Sequence, residues 1–242
     1  MPGVATLRPG THAGCVKAQR ISGLIVDVLN REEYPGTIEF AGGIIRRIRR
    51  DAHALGPGLI IPGLVDAHIH IESSMLPPAE FARLAVVHGT VATVSDPHEI
   101  ANVLGVAGVN YMIAEGRRTP FKFCFGAPSC VPATPFETAG AALPARAVAR
   151  LLARKDIGYL AEVMDFPGVL RGDREVLAKI AAARRLGKPV DGHAPGLRGA
   201  SAAAYAAAGI TTDHECFTLA EAKDKLRAGM KILIREGSAA RN

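Results

Sequence analysis

From Pro57-Gly58 onward, the sequence repeats one pattern, in which a short apolar run is followed by a loop and a helical segment. Strands that alternate with helices predict a parallel sheet covered by helices. Seven such units are present, and no Gly-x-Gly-x-x-Gly or Walker-type loop follows any predicted strand. The pattern therefore favours a (β/α)₈ TIM-type barrel over a doubly wound nucleotide-binding sheet. We predict an α/β fold: an incomplete barrel over residues 58–242, with seven of eight strands, truncated after strand seven.

A different pattern precedes the barrel and predicts a small N-terminal β-sheet domain at residues 21–57. The apolar run Leu24–Leu29 is followed by a turn signal at Tyr34-Pro35-Gly36 and by further short apolar runs around Gly42-Gly43. Short strands separated by glycine-containing turns are typical of an antiparallel sheet. Residues 1–20 show no periodicity, and we expect them to form a mobile arm.

Composition and charge exclude several classes of function. The net charge of +6 arises from scattered basic residues, apart from the cluster Arg46-Arg47-Ile48-Arg49-Arg50. Only 5% of residues are aromatic and none is Trp, so we expect no nucleic-acid partner. No apolar run reaches the ~18 residues of a membrane span, and the N-terminus lacks a signal sequence. Four cysteines without C-x-x-C spacing indicate reduced thiols, so we expect a cytoplasmic protein with no membrane partner.

The region of predicted strand one carries the strongest functional signal. Its apolar residues, Leu59 to Val65, are followed by His68 and His70. Residues i and i+2 of a strand project from the same face, so these two imidazoles form half of a metal site. Further ionisable residues recur at the predicted strand ends, where the active sites of barrels are built. They are Glu72, Asp96, His98, Glu162, His193, His214 and Glu215.

This set of side chains indicates a catalytic metal site. Imidazoles and carboxylates suit Zn, Fe or Mn, and the absence of clustered thiolates disfavours a closed structural zinc site. An open coordination position lowers the pKa of a bound water from 15.7 to about 7, which generates a hydroxide nucleophile. A nearby carboxylate or histidine must then carry the proton to the leaving group. These residues leave open whether one or two ions bind.

The stretch from Pro62 to His70 resembles the strand-one signature of the amidohydrolase superfamily, and more closely that of its bacterial adenine deaminase branch. The likeness runs from about Ile21 to the last residue. The supporting stretches are His70–Ser74, Val94–Glu99, Leu160–Gly168, Asp191–Gly196, Thr212–Glu215 and Arg235–Ser238. The resemblance implies that adenine and water become hypoxanthine and ammonia at an iron- or manganese-dependent centre, with zinc as a further option, in purine salvage.

The resemblance also implies roles for individual residues. His68 and His70 would bind one metal ion, and His193 and His214 a second, which makes the centre binuclear. Glu162 would bridge the two ions, where many relatives use a carbamylated lysine. The remaining candidates are proton shuttles or their partners, and residues that face the purine. They are Glu72, Asp96, His98 and Glu99 for catalysis, and Arg235 and Glu236 for substrate binding. For a full-length protein we expect a homo-oligomer.

One departure from the family pattern qualifies these expectations. Family members usually supply a metal-binding aspartate after strand eight, and this sequence stops at Asn242, after strand seven. We therefore expect the chain alone to be poorly stable and weakly active or inactive. Two alternatives stay open: an amidohydrolase acting on a cyclic amide or N-acyl substrate, and a catalytically impaired metal-binding fragment. Zinc-type nucleobase deaminases are excluded, because the sequence has no P-C-x-x-C pair.

Overall fold

The computed structural model describes residues 18–236, apart from positions 55, 57 and 135. The chain forms two compact units, Met1–Pro62 and Gly63–Asn242. Most of the expected N-terminal arm, residues 1–17, lies outside the described residues, and a strand already begins at Gln19.

The N-terminal unit contains one four-stranded sheet. In chain order its strands are β1 (Gln19–Asp27), β2 (Glu32–Ala41), β3 (Ile44–Arg50) and β4 (Leu59–Ile60). Their spatial order is β3-β2-β1-β4, with antiparallel β1-β2 and β2-β3 pairs. The predicted antiparallel sheet is therefore present.

The position of β4 corrects the expected start of the barrel. Leu59 and Ile60 were predicted to open the first barrel strand, but they pair in parallel with β1 in the small sheet. Pro62 has no N–H to donate to a ladder, so the apolar run splits into two strands. The next strand begins only at Leu64.

The chain reversal between β1 and β2 corrects the predicted turn at Tyr34-Pro35-Gly36, which lies inside β2. The reversal occurs at residues 28–31 instead. Oδ1 of Asp27 accepts the backbone N–H groups of Leu29 and Asn30 at 3.0 Å each, which closes an Asx-type turn. Gly36 serves packing, since a Cβ there would lie 2.6 Å from the carbonyl oxygen of Arg49.

The C-terminal unit consists of parallel strands and helices. Five strands form one parallel sheet in chain order: β5 (Leu64–Ile69), β6 (Thr90–Ser95), β7 (Lys122–Ala127), β8 (Tyr159–Val163) and β9 (Val190–Gly192). Two more form a second parallel pair, β10 (Thr212–Asp213) and β11 (Lys231–Ile232). The predicted parallel α/β fold is confirmed, although its strands fall into two sheets among the described residues.

Eight α-helices connect these strands within the described part of the chain. They are α1 (Pro78–Val86), α2 (His98–Leu104), α3 (Val106–Gly116), α4 (Ala145–Leu152), α5 (Phe166–Arg171), α6 (Arg174–Arg185), α7 (Gly199–Ala207) and α8 (Leu219–Arg227). A short 3₁₀ helix spans Ile71–Ser74. Across the residues described here, we find no helix with the length and apolar character that crossing a bilayer demands.

Strand β8 lies at the centre of the core and is buried at all five positions. A strand covered on both faces reads as a continuous apolar run, and here a single carboxylate, Glu162, interrupts that run. Leu160 and Val163 pack in one cluster with Val148 of α4 and Ile180 of α6. Burying each of these side chains contributes about 1.5–3 kcal/mol. The best-packed part of the unit therefore fixes the backbone on either side of Glu162.

Candidate metal centre

The ionisable residues predicted at strand ends converge on one edge of the sheet. Carboxyl ends of parallel strands meet at the same edge, and the contributing residues lie next to the last residue of their strands or just beyond it. By strand, the contributions are His68 and His70 from β5, Asp96 and His98 after β6, Glu162 from β8, His193 after β9, and His214 after β10.

His68 and His70 face each other in a geometry that fits a shared cation. Nδ1 of His68 lies 3.1 Å from Oδ2 of Asp191, and Nδ1 of His70 lies 3.1 Å from the backbone oxygen of Asp96. These oxygens accept, so each Nδ1 carries the hydrogen and each Nε2 of a neutral ring presents a lone pair. The two Nε2 atoms are 3.1 Å apart. Lone pairs at that distance repel unless a proton or a metal ion lies near both.

Glu162 lies at the centre of the cluster and contacts four histidines. Its Oε1 is 3.3 Å from Nε2 of His70 and 3.2 Å from Nδ1 of His98. Its Oε2 is 2.8 Å from Nδ1 of His193 and 2.9 Å from Nε2 of His214. Burial alone would raise the pKa of Glu162, but the contacts with His193 and His214 hold it well below its usual value. The carboxylate is therefore ionised, with one oxygen next to His70 and His98 and the other next to His193 and His214.

The side chains form three sets of donor atoms that could hold metal ions within the described residues. The sets are His70, Asp96, His98 and Glu162; His68, Glu162 and His214; and His193, His214 and Glu215. Because Glu162 and His214 each belong to two sets, the sets are contiguous. All five ligands expected from the resemblance are included, and Asp96, His98 and Glu215 lie beside them.

The pKa values of the cluster reflect its excess of carboxylates. Burial opposes the charge of His98 and of His214, yet Asp96 and Glu162 raise the pKa of His98 to about 9. Asp191 and Glu162 likewise raise the pKa of His214 to about 10. Burial lowers the pKa of His70. Protonated His98 and His214 therefore balance the negative charge of the carboxylates. A divalent cation would displace the protons of these histidines, since metal ligands bind in their deprotonated forms.

Among the described residues, Glu72 and Asp96 each keep one buried carboxylate oxygen without a hydrogen-bond partner. Oε1 of Glu72 accepts the backbone N–H of Ile100 at 3.2 Å, and Oδ2 of Asp96 lies 3.1 Å from Nδ1 of His98. The other oxygens, Oε2 of Glu72 and Oδ1 of Asp96, have no hydrogen-bond partner in the part of the chain that the structure describes. Burial raises the pKa of Glu72 to about 7. Leaving a buried oxygen without a hydrogen bond lowers the stability of the folded chain. Such oxygens are typical of sites where a ligand or ion supplies the missing contact.

Three predicted residues remain: Glu99, Arg235 and Glu236. Glu99 accepts the hydroxyl of Ser73 at 2.6 Å and lines a cavity of about 250 Å³ beside His98. Arg235 forms an ion pair with Glu215, whose Oε1 is 3.8 Å from Nδ1 of His193. Glu236 is exposed at the end of the described chain. Glu99, Arg235 and Glu236 are outside the three donor sets.

Sequence reasoning missed Asp191, which supports two histidines from behind. Its Oδ2 is 3.1 Å from Nδ1 of His68 and 3.6 Å from Nδ1 of His214. Although burial opposes ionisation, these contacts hold the pKa of Asp191 well below its usual value. A carboxylate behind a ligating histidine fixes the tautomer and orientation of the ring. The two-residue spacing from Asp191 to His193 is a signal that could have identified it.

Fold and site together define a class of proteins that carry candidate metal ligands at the carboxyl ends of parallel strands. The family model described as "Amidohydrolase family" matches residues 59–237. The chain belongs to the amidohydrolase family.

Two curated proteins similar to this chain share one description. The chain is 62% identical over 222 residues to a protein of Salinibacter ruber described as adenine deaminase, covering 92% of this chain and 41% of that protein. It is 57% identical over 220 residues to one from Methanosarcina acetivorans with the same description, covering 91% and 40%. The chain thus spans about two fifths of the length of these relatives.

A solved structure supports the fold. The N-acetyl-D-glucosamine-6-phosphate deacetylase of Mycobacterium smegmatis is similar with a TM-score of 0.54 at 17% identity, covering 81% of this chain and 59% of that chain.

Proposed function

We propose that this chain takes part in the hydrolytic deamination of adenine to hypoxanthine and ammonia. The observation that carries the proposal is the contact of one buried carboxylate, Glu162, with four histidines at the sheet edge. The 62% identity to a relative described as adenine deaminase supports adenine as the substrate. This activity would make the chain a hydrolase of C–N bonds.

The donor atoms support a binuclear centre. His68 and His70 would hold one ion, His193 and His214 the other, and Glu162 would be shared by both. Nitrogen and oxygen donors suit Mn or Fe, with Zn as a further option. A bound divalent ion supplies an activated water nucleophile at neutral pH.

The chain's own residues then move protons. Water adds its oxygen to C6 of adenine and the C6–N bond breaks. One proton of the water must pass to the departing amine, and the other ends on N1 of hypoxanthine. We assign the proton transfer to the amine to Glu72, Asp96 and His98, because the first two offer buried oxygens that have no hydrogen-bond partner among residues 18–236 as described, and His98 contacts Asp96. Glu99 is assigned to the wall of the adjoining cavity.

Substrate orientation is assigned to Arg235 and Glu236. The ion pair of Arg235 with Glu215 supports this assignment, because it keeps the guanidinium beside His193. A guanidinium offers five N–H donors, which suits the ring nitrogens of a purine.

We extend the proposal to the architecture and setting of the enzyme. Strands β5 to β11 would supply seven of the eight strands of a (β/α)₈ barrel, preceded by the small β domain. The enzyme would act in purine salvage in the cytoplasm, as a homo-oligomer when full length, with neither nucleic acid nor a membrane as partner.

Adenine conversion by the purified chain, loaded with Mn²⁺ or Fe²⁺, tests the proposal. Conversion to hypoxanthine is followed by absorbance, for the chain alone and for the chain mixed with the portion of the Salinibacter ruber relative that it does not cover. We expect weak conversion alone and stronger conversion in the mixture. His68→Ala should abolish conversion by the chain alone and by the mixture. His88→Ala changes an exposed histidine just after α1 and should leave both conversions unchanged.

A substrate panel separates the proposal from the other amidohydrolase activities. The panel contains adenine, a cyclic amide and an N-acyl amine. Turnover of the latter two without adenine turnover would contradict adenine deamination, as would conversion that survives His68→Ala.

A further inference from the structure

A second charged cluster lies in the interior, beneath the two histidines that follow β9 and β10. It consists of Asp213 at the end of β10 and of Glu221 and Lys225 on α8. Their exposed fractions are 0%, 2% and 0%. Nζ of Lys225 lies 2.9 Å from Oε1 of Glu221 and 3.1 Å from Oδ2 of Asp213. We call these three residues the α8 cluster.

The α8 cluster holds the backbone immediately after His193. Nζ of Lys225 donates to the carbonyl oxygen of Ala194 at 2.7 Å. Oδ2 of Asp213 accepts the N–H of the same residue, Ala194, at 3.0 Å. Oε1 of Glu221 accepts the N–H of Gly196 at 2.8 Å. Both backbone polar groups of Ala194, its N–H and its C=O, are therefore hydrogen-bonded to the α8 cluster.

The same cluster holds the backbone on either side of His214. Asp213 precedes this histidine directly, and its Oδ1 accepts the N–H of Glu215 at 2.8 Å. Oε2 of Glu221 accepts the N–H of Phe217 at 3.1 Å. One set of three side chains thus connects the two loops that carry His193 and His214.

Charge balance makes the α8 cluster sensitive to substitution. One ammonium group faces two carboxylates; four backbone N–H groups donate to these carboxylates, and the ammonium group also donates to the carbonyl oxygen of Ala194. Burial disfavours the charge of Lys225, but Glu221 and Asp213 outweigh burial and raise its pKa. Removing one partner of a buried charged group leaves the others uncompensated, and the backbone that they hold must then rearrange.

We propose that Lys225, Glu221 and Asp213 are positioning residues that set the separation of His193 and His214, and thereby the affinity of the chain for a metal ion between them. This inference rests on the metal centre of the proposed function. The two rings are 5.4 Å apart between centroids and both contact Oε2 of Glu162. A small shift of either loop would move one nitrogen out of the donor set.

The test measures Mn²⁺ binding by the 242-residue chain, by calorimetry and by metal content, in wild type and in Lys225→Met. We expect the Kd for Mn²⁺ to rise about 10–100-fold, the usual effect of removing a residue that orients metal ligands. Lys188→Met is the matched control, because Lys188 also donates to backbone carbonyl oxygens, those of Leu152, Arg154 and Ile157. These carbonyls lie at the opposite ends of the strands, so the control should lower Tm and leave the Kd unchanged.

Hydrogen exchange gives a readout that does not depend on metal. In Lys225→Met the amides of Ala194 and Glu215 should lose protection, whereas Lys188→Met should leave them protected. Glu221→Gln replaces Lys225→Met if the latter does not fold, and it should weaken Mn²⁺ binding to a smaller extent. A Kd within twofold of wild type in the folded variant, or an equal loss of affinity in Lys188→Met, would overturn the inference.

Adenine turnover, measured on the same preparations, separates this inference from the proposed function. A wild-type chain that binds Mn²⁺ but does not convert adenine, either alone or mixed with the uncovered portion of the Salinibacter ruber relative, would refute the deaminase activity and leave the comparison of affinities intact. A wild-type chain that binds no Mn²⁺ would refute both.

Discussion

Replacing Asp191 by Asn should weaken metal binding without unfolding the chain. Asp191 is 6% exposed. Asparagine has almost the same shape, so the core around β9 stays filled. What changes is the charge behind His68, whose Nδ1 lies 3.1 Å from Oδ2 of Asp191. The amide no longer favours the ring tautomer that turns Nε2 toward His70.

The magnitude follows from the contacts of Asp191. Its 3.1 Å contact with His68 is a charge-assisted hydrogen bond between buried groups, and the ring of His214 lies 3.6 Å from the same carboxylate oxygen. A hydrogen bond to a charged group contributes about 1.5–3 kcal/mol. At about 1.4 kcal/mol per tenfold change, its loss corresponds to a roughly 10–150-fold increase in the Kd for Mn²⁺. This agrees with the ~10–100-fold effect typical of residues behind metal ligands.

Calorimetric titration of the metal-free chain with Mn²⁺ is the assay, and thermal unfolding checks that the variant folds. Asp156→Asn is the matched control, because Asp156 pairs with Arg154 and Arg117 away from the metal centre. A Kd for Asp191→Asn within twofold of wild type would refute the reasoning. So would an equal increase in Asp156→Asn.

Three further predictions concern catalysis and packing. Glu72→Gln should lower adenine turnover about 10²–10⁴-fold while bound Mn²⁺ stays constant, because the substitution removes a proton carrier and no ligand. Turnover and metal content are measured on the same sample. A parallel loss of metal would contradict the role of Glu72 as a proton carrier. Leu160→Ala should lower the free energy of unfolding by about 2–5 kcal/mol, because Leu160 is 0% exposed. A decrease of less than ~1 kcal/mol in a denaturant titration would contradict the position of Leu160 in the core. Gly126→Ala should lower the free energy of unfolding by about 1–3 kcal/mol, because the new Cβ would lie 2.7 Å from Cζ of Tyr159. Gly58→Ala, with open space around its Cβ position, is the control, and equal unfolding free energies in these two variants would show that the strands β7 and β8 pack differently.

The donor set was largely predictable because two local rules apply to it. Residues two apart in a strand share a face, which pairs His68 with His70, and parallel strands bring their carboxyl ends together. These rules need only the strand assignments. They also led to Glu162, which stands out as the one charged residue in an otherwise apolar strand.

Residues that support the site from the interior were harder to predict. Asp191 reads as an ordinary polar residue at the end of a short strand. Glu221 and Lys225 read as an i,i+4 ion pair on the solvent face of a helix, whereas the structure buries both completely. Nothing local in the sequence distinguishes these cases, because burial of α8 depends on how it packs against the loops after β9 and β10.

The two wrong boundaries in the β domain have a similar origin. The Pro35-Gly36 pair predicts a turn by composition, but the side chain of Asp27 closes the turn earlier and Gly36 is needed for close packing. Leu59 and Ile60 read as a barrel strand because they adjoin Leu64. Their partner is β1, 35 residues before them, and such long-range pairing leaves no local pattern.

The most direct test of the account is a titration of the metal-free chain with Mn²⁺, in which bound metal and ammonia release from adenine are measured at each step. We expect both to rise together in wild type and both to be lost in Glu162→Gln, because Glu162 contacts the histidines on each side of the centre. The mixture with the uncovered portion of the Salinibacter ruber relative is titrated in the same way. Ammonia release by metal-free chain, or release that is unchanged in Glu162→Gln, would contradict the central claim that this cluster is a metal centre for adenine deamination.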